Sequence, residues 1–224
     1  MRFTGGDSLT GFRKLVHQIM MQNELRNGEG AYEVSHAKAG RSGYSFGPVQ
    51  WDLLSNHLIK NDPDPNNRIY ARQAFDDILA NAKYTDGSLV FDDNSRTSVI
   101  NKVVTKGAVL TEDQKSLIND ALESDYGIRE INDLYPIELD NAITKIDSII
   151  SNVADPGSRA FLQTDIARLF LIDYNNQFNI NTGSKGEMKR FLDGESVLLG
   201  SGYKVQVQGN LGVEDLLTFY LKTK

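Results

Sequence analysis

Apolar residues recur at helical spacing along most of this chain. Leu9, Phe12, Leu15, Val16, Ile19 and Met20 share one face when residues 8–26 are wound as a helix. Asp7 or Ser8 supplies an N-cap, and Asn27-Gly28 a stop, because glycine takes the left-handed turn after a helix end. Over residues 29–50 the period breaks. Glycines at 28, 30, 40, 43 and 47, with Pro48, punctuate the segment. Tyr32, Val34, Tyr44 and Phe46 read there as two short strands of a β-hairpin turning at Lys38-Ala39-Gly40-Arg41-Ser42-Gly43. From Trp51 onward helical spacing returns and predicts helices over 50–60, 67–82, 95–105, 111–123, 126–134, 136–152 and 157–177. Thr111-Glu112-Asp113-Gln114 has capping-box spacing. Asp62-Pro63-Asp64-Pro65-Asn66-Asn67 and Asp155-Pro156-Gly157 are breaks. Residues 160–172 are the most apolar helical stretch and are expected to be central. The tail from 183 is glycine-rich, with Lys204-Val205-Gln206-Val207-Gln208 alternating like a short exposed strand and a helix expected over 213–222.

The pattern gives a mainly α fold with a small β-hairpin. Neither a repeat nor a long linker divides the 224 residues, so one domain over 1–224 is expected. Without cysteine, the chain has no disulfide framework, thiol nucleophile or cysteine-held metal. Three histidines make a multi-histidine metal centre a poor expectation, and Asp62-Pro63-Asp64 lacks the spacing and glycine of a calcium loop. A net charge of −6 argues against broad capture of nucleic acid. No apolar run reaches a membrane span, and the first residues lack the apolar core of a secretory signal. The expectation is synthesis in the cytoplasm and no membrane insertion.

The densest cluster of special residues is Gly28-Glu29-Gly30-Ala31-Tyr32-Glu33, followed by Gly43-Tyr44-Ser45-Phe46-Gly47-Pro48-Val49-Gln50. A carboxylate at the end of an apolar helix is placed for desolvation against the core. Desolvation raises its pKa and suits it to general-acid work. A solvated glutamate in a helix-ending loop has the same local pattern.

A helix, then Glu29-Gly30, then a hairpin ending in Tyr44-Ser45-Phe46-Gly47, resembles the lysozyme-like superfamily. Phage-type lysozymes carry a catalytic Glu in a Glu-Gly pair at the end of the first helix, with a Tyr-Thr-Ile-Gly-like stretch after it. Gly47-Pro48-Val49-Gln50 is similar to the Gly-Leu-Met-Gln-like motif of lytic transglycosylases. Leu171-Ile172-Asp173-Tyr174-Asn175-Asn176-Gln177 is similar to their Ala-Tyr-Asn-Ala-Gly segment. The resemblance covers residues 8–60 and 158–178. It leaves 61–157 as a family-specific helical insertion and 183–224 as a glycine-rich extension. It implies an α+β lysozyme-like fold and cleavage of the β-1,4 bond between N-acetylmuramic acid and N-acetylglucosamine in peptidoglycan. Glu29 would be the catalytic acid and base. Tyr44, Ser45, Gln50, Tyr174 and Asn175 would position sugar or water. The implied partner is the glycan strand, met after release or delivery to the cell wall by a phage particle or similar carrier. No cofactor is implied.

The chain departs from the lysozyme pattern in its second carboxylate. Between Gly30 and Ser45 the one candidate is Glu33. Ordinary glycosidases need two carboxyl groups, about 5 Å apart for retention and about 6.5–9.5 Å for inversion. A transglycosylase needs one. Alternatively, Ser45 holds a water in place of the family's Thr. His36 reads as a surface or hydrogen-bonded residue. Trp51 suits sugar stacking or the core, and Lys38 and Arg41 suit peptide carboxylates or solvent. Cleavage of chitin or chitosan by a chitosanase- or chitinase-like glycosidase, and a non-catalytic lysozyme-like structural or binding module of a phage particle, are the competing functions.

Overall fold

Gly11–Glu24 wind into α1. Val16 and Met20 are buried, while Leu15, on the expected apolar face, is 39% exposed. The chain before α1 folds back on itself. Its Phe3 ring meets Tyr135 edge-on at 4.9 Å, and His17 Nδ1 lies 2.9 Å from the Tyr135 hydroxyl. Burial holds the His17 pKa below its ordinary value. The computed structural model describes residues 2–24, 30–36, 43–178, 180, 186–207 and 209–223.

After α1 come β1 (Ser35–His36), β2 (Tyr44–Phe46) and β3 (Trp51–Asp52), antiparallel neighbours in the order β1-β2-β3. Ser35 lies opposite Ser45, and Phe46 opposite Trp51. The expected hairpin pairing is thus present with a third strand added, but its first strand is Ser35–His36, and Tyr32 and Val34, expected in it, precede it in the turn and link after Gly30. The hairpin's expected tip, Lys38 to Ser42, lies outside the described residues.

The helix expected over 50–60 does not form. Asp52 Oδ1 accepts from the backbone N–H of Leu54 at 2.7 Å and of Ser55 at 3.2 Å, an aspartate turn that competes with helix. Asn56 adopts the left-handed conformation. Arg72 donates to the carbonyls of Leu53 at 2.7 Å and Leu54 at 2.6 Å, acceptors that a helix would use itself. The segment instead ends in β4 (Leu58–Lys60), paired with β5 (Ile69–Tyr70).

Next come α2 (Ala71–Asn81), α3 (Asp93–Val103) and α4 (Glu112–Leu122). Thr111 caps α4 with Gln114 closing the box from the other side, as its sequence predicts. The helices expected over 126–134 and 136–152 are one, α5 (Asp125–Ser151), with Pro136 inside it. A proline in a helix interior costs about 3 kcal/mol. Burial of Ile131, Tyr135 and Leu139 on the same helix offsets that cost.

By its internal packing the chain divides into two compact units, Met1–Leu139 and Asp140–Lys224, and the division falls inside α5. The first unit centres on Phe46, Trp51, Leu53, Phe75, Ile78 and Leu79, all fully buried. The second contains α6 (Pro156–Leu162), α7 (Asp165–Phe178), α8 (Glu187–Leu192), β6 (Val197–Leu198), β7 (Lys204–Val205) and α9 (Val213–Thr223). A single helix over 157–177 is not formed. Thr164 ends α6 with its hydroxyl on the Phe161 carbonyl at 2.7 Å, and its own carbonyl accepts from Arg168 to start α7. The expected central stretch is accordingly mixed, with Leu171 and Ile172 buried and Ile166 59% exposed. The tail strand is shorter than its alternation predicts, because the Val205–Val197 and Lys204–Leu198 pairs complete its ladder. Taken together, the described residues form a mainly helical protein with small antiparallel sheets. Among them no helix is long and apolar enough to cross a membrane.

Candidate active site

The segment that follows α1 is fixed by side chains from far along the sequence. Glu29 lies outside the described residues, as do Lys38 and Arg41. Gly30, next to Glu29, has φ +81°, where an L side chain would be strained. The Glu33 N–H closes a turn onto the Gly30 carbonyl at 3.1 Å. Tyr32 is 1% exposed. Its hydroxyl donates to Asn132 Oδ1 at 2.8 Å and accepts from the Thr4 N–H at 3.3 Å. Asn132 Nδ2 closes the ring of contacts by donating to Thr4 Oγ1 at 3.0 Å. Two residues on, the Val34 N–H donates to Asn119 Oδ1 at 2.9 Å. Each such bond contributes about 1 kcal/mol, and together they hold one backbone direction from Gly30 into β1. Glu33 is exposed in the turn and is not part of a strand.

The neighbouring sheet carries the other first-unit candidates. Ser45 is 6% exposed, and its hydroxyl has no hydrogen-bond partner among the described residues. Gln50 holds a left-handed backbone, with φ 56°. Its Oε1 accepts from the Ser35 hydroxyl, and its Nε2 donates to the Gly47 carbonyl at 3.3 Å. The side chain is therefore anchored at both ends. Gly47 must be glycine, since φ is +79° and a Cβ would run into the Trp51 ring. Tyr44 is buried, its hydroxyl accepting from the Leu110 N–H at 2.8 Å. One face of its ring is stacked on His36 at 4.3 Å, so both are engaged within the protein. Trp51 is fully buried against Phe46, with ring centroids 5.3 Å apart. Of its two sequence readings the core is the one formed, and the indole has no face open to a sugar.

Tyr174 and Asn175 belong to the second unit. Tyr174 is 5% exposed, with Phe178 at 4.9 Å and Phe219 at 5.7 Å between ring centroids. Its hydroxyl lies 3.5 Å from Thr223 Oγ1, and burial raises its pKa. Asn175 Oδ1 accepts from the Ile180 N–H at 3.1 Å, tying down the chain after α7. In this structure both residues make contacts that build their own unit.

Three residues escaped the sequence reading. Ser35, which orients Gln50, and Asn132, which fixes Tyr32, act across gaps of 15 and 100 residues that carry no local signal. Glu138 is the third. Its Oε1 lies 3.2 Å from His57 Nε2, while its Oε2 is buried without a partner among the described residues. Among the described residues no three His, Asp or Glu side chains are grouped to hold a metal. Neither a family model, nor a curated protein, nor a solved structure matches the chain.

Proposed function

We propose that the chain is a glycosidase that cleaves the β-1,4 bond between N-acetylmuramic acid and N-acetylglucosamine in peptidoglycan, with Glu29 as its acid and base. The observation that carries the reading is the order α1, Glu29-Gly30, small antiparallel sheet, joined to the rigid anchoring of the residues that follow Glu29. An acid must be held in place to be effective, and Gly30, Tyr32 and Val34 supply that constraint on one side. Ser45, whose hydroxyl has no partner among the described residues, and Gln50, with an anchored amide, are the positioning groups of this proposal.

The exposure of Glu33 favours the one-carboxylate route. Glu29 protonates the glycosidic oxygen as the C1–O bond breaks. The muramic acid 6-hydroxyl then attacks C1 and returns its proton to the Glu29 carboxylate. The product ends in a 1,6-anhydro sugar and no water is consumed.

Digestion of purified peptidoglycan by wild type and Glu29→Gln, with products weighed by mass spectrometry, tests this. Wild type is expected to release anhydro-ended fragments. The variant should be slower by about 10²–10⁴-fold, with an unchanged melting temperature. Reducing ends, heavier by one water, would replace transglycosylation with hydrolysis. Equal rates from the two proteins would remove Glu29 from the chemistry. If neither releases anything, the peptidoglycan reading falls and chitosan becomes the next substrate.

A further inference from the structure

The second unit holds a cavity of about 500 Å³, within the range of small-molecule sites. Its described lining is Lys145, Ser148, Ile149, Asn152 and Lys189. Lys145, Ser148 and Ile149 stand on one face of α5, and Asn152 follows its last residue in the turn that ends it. Lys189 comes from α8.

The wall is braced. Lys189 Nζ is 2.6 Å from Asp193 Oδ2, and Asp193 Oδ1 accepts from the Ala154 N–H just beyond α5 at 3.3 Å. Asn152 Nδ2 donates to the Ser148 carbonyl at 2.8 Å, which orients the amide and leaves its oxygen as an acceptor. The Ser148 hydroxyl has no partner among the described residues. Ile149 is 6% exposed and gives the cavity an apolar surface. Lys145 is partly buried, and desolvation lowers its pKa, so an anion beside it would stabilise its charged form.

We propose that this cavity binds a small monocarboxylate bearing an apolar group. The two ammonium groups would receive the carboxylate oxygens through charge-assisted hydrogen bonds, the Ser148 hydroxyl would donate a further one, and Ile149 would meet the apolar part. A monoanion fits better than a phosphate dianion, because Asp193 already offsets the charge of Lys189. The site is independent of the glycosidase reading, since every described lining residue lies in Asp140–Lys224.

The test is an NMR titration of the labelled full chain with three probes: N-acetyl-leucine, its uncharged amide N-acetyl-leucinamide, and inorganic phosphate. N-acetyl-leucine is expected to bind with a Kd of about 1 mM or tighter and to shift amides of residues 145–152 and 189. The amide and phosphate should bind at least about tenfold more weakly, and Lys145→Met should weaken N-acetyl-leucine by about tenfold or more. Lys145→Met keeps most of the stem, so a folded spectrum is expected, and Lys145→Arg should keep most of the affinity. The proposal is overturned if N-acetyl-leucine shifts nothing at about 20 mM. It is equally overturned if the amide or phosphate binds as well, or if Lys145→Met leaves the affinity unchanged.

Discussion

The β-strand region of the first unit and the aromatic helices of the second are stabilised by different means. In the first, polar side chains tether single groups: Asn119 holds the Val34 backbone and Arg72 that of Leu53 and Leu54, while Asn132 holds the Tyr32 hydroxyl and Ser35 the Gln50 amide. In the second, Phe170, Tyr174 and Phe178 recur at four-residue steps along α7 and pack on Phe219 and Tyr220 of α9. Packing of that kind tolerates changes in polar atoms and punishes lost volume. Polar tethering does the reverse, since a missing partner strands a buried group. The first design fixes directions of individual groups, as a site requires, whereas the second fixes a shape.

The contrast can be broken by substitution. Tyr174→Ala should produce the largest effect, a loss of about 3–5 kcal/mol in urea unfolding. Tyr174→Phe should cost less than about 1 kcal/mol, because it removes one long hydrogen bond to Thr223. A large loss of the proposed glycosidase activity in Tyr174→Phe at unchanged stability would give the hydroxyl a site role and blur the contrast. Gly47→Ala should cost about 2–4 kcal/mol, through left-handed strain and displacement of Trp51. A near-neutral result would mean that Trp51 is not held as described. Ser35→Ala should cost about 1 kcal/mol while lowering activity by up to about tenfold, as Gln50 loses one of its two anchors. An equal drop in both readouts would make it structural.

The smallest effect concerns pH. Burial lowers the His17 pKa, so below its ordinary value of 6.5 the unfolded chain takes up a proton that the folded chain resists. Stability should therefore decline as pH falls from 6.5 toward the lower folded value. His17→Gln should flatten that part of the profile, and parallel profiles would show that other groups carry it.

What the sequence revealed follows the same division. The α4 capping box, α1, α9 and the strand β2 were legible because their signals are local, whereas β1 forms at Ser35–His36 and not around Tyr32 and Val34, where the sequence put it. The 50–60 segment misled because Trp51, Leu54 and Leu58 mimic helical spacing. Beside the local Asp52 turn, its outcome was set by Arg72, a residue whose effect on Leu53 and Leu54 cannot be read from their own neighbourhood. Pro136 misled in the other direction, since buried contacts along α5 outweighed a strong breaker. For the candidate site, motif proposes residues and says nothing of what supports them. Glu29, Ser45 and Gln50 stand out by motif, whereas Asn119, Asn132 and Ser35 are unremarkable polar residues until the fold brings them in.

The bond from Tyr32 to Asn132 also sets an order of events during synthesis. At roughly 5–20 residues per second, the ribosome needs several seconds to travel the 100 residues between them. Throughout that interval the stretch beside Glu29 lacks its hydroxyl anchor, and its second support, Asn119, emerges only shortly before. A nascent chain is thus denied the geometry of the finished one. For the proposed glycosidase, this delay is a timer that withholds the anchored geometry until most of the first unit has been made.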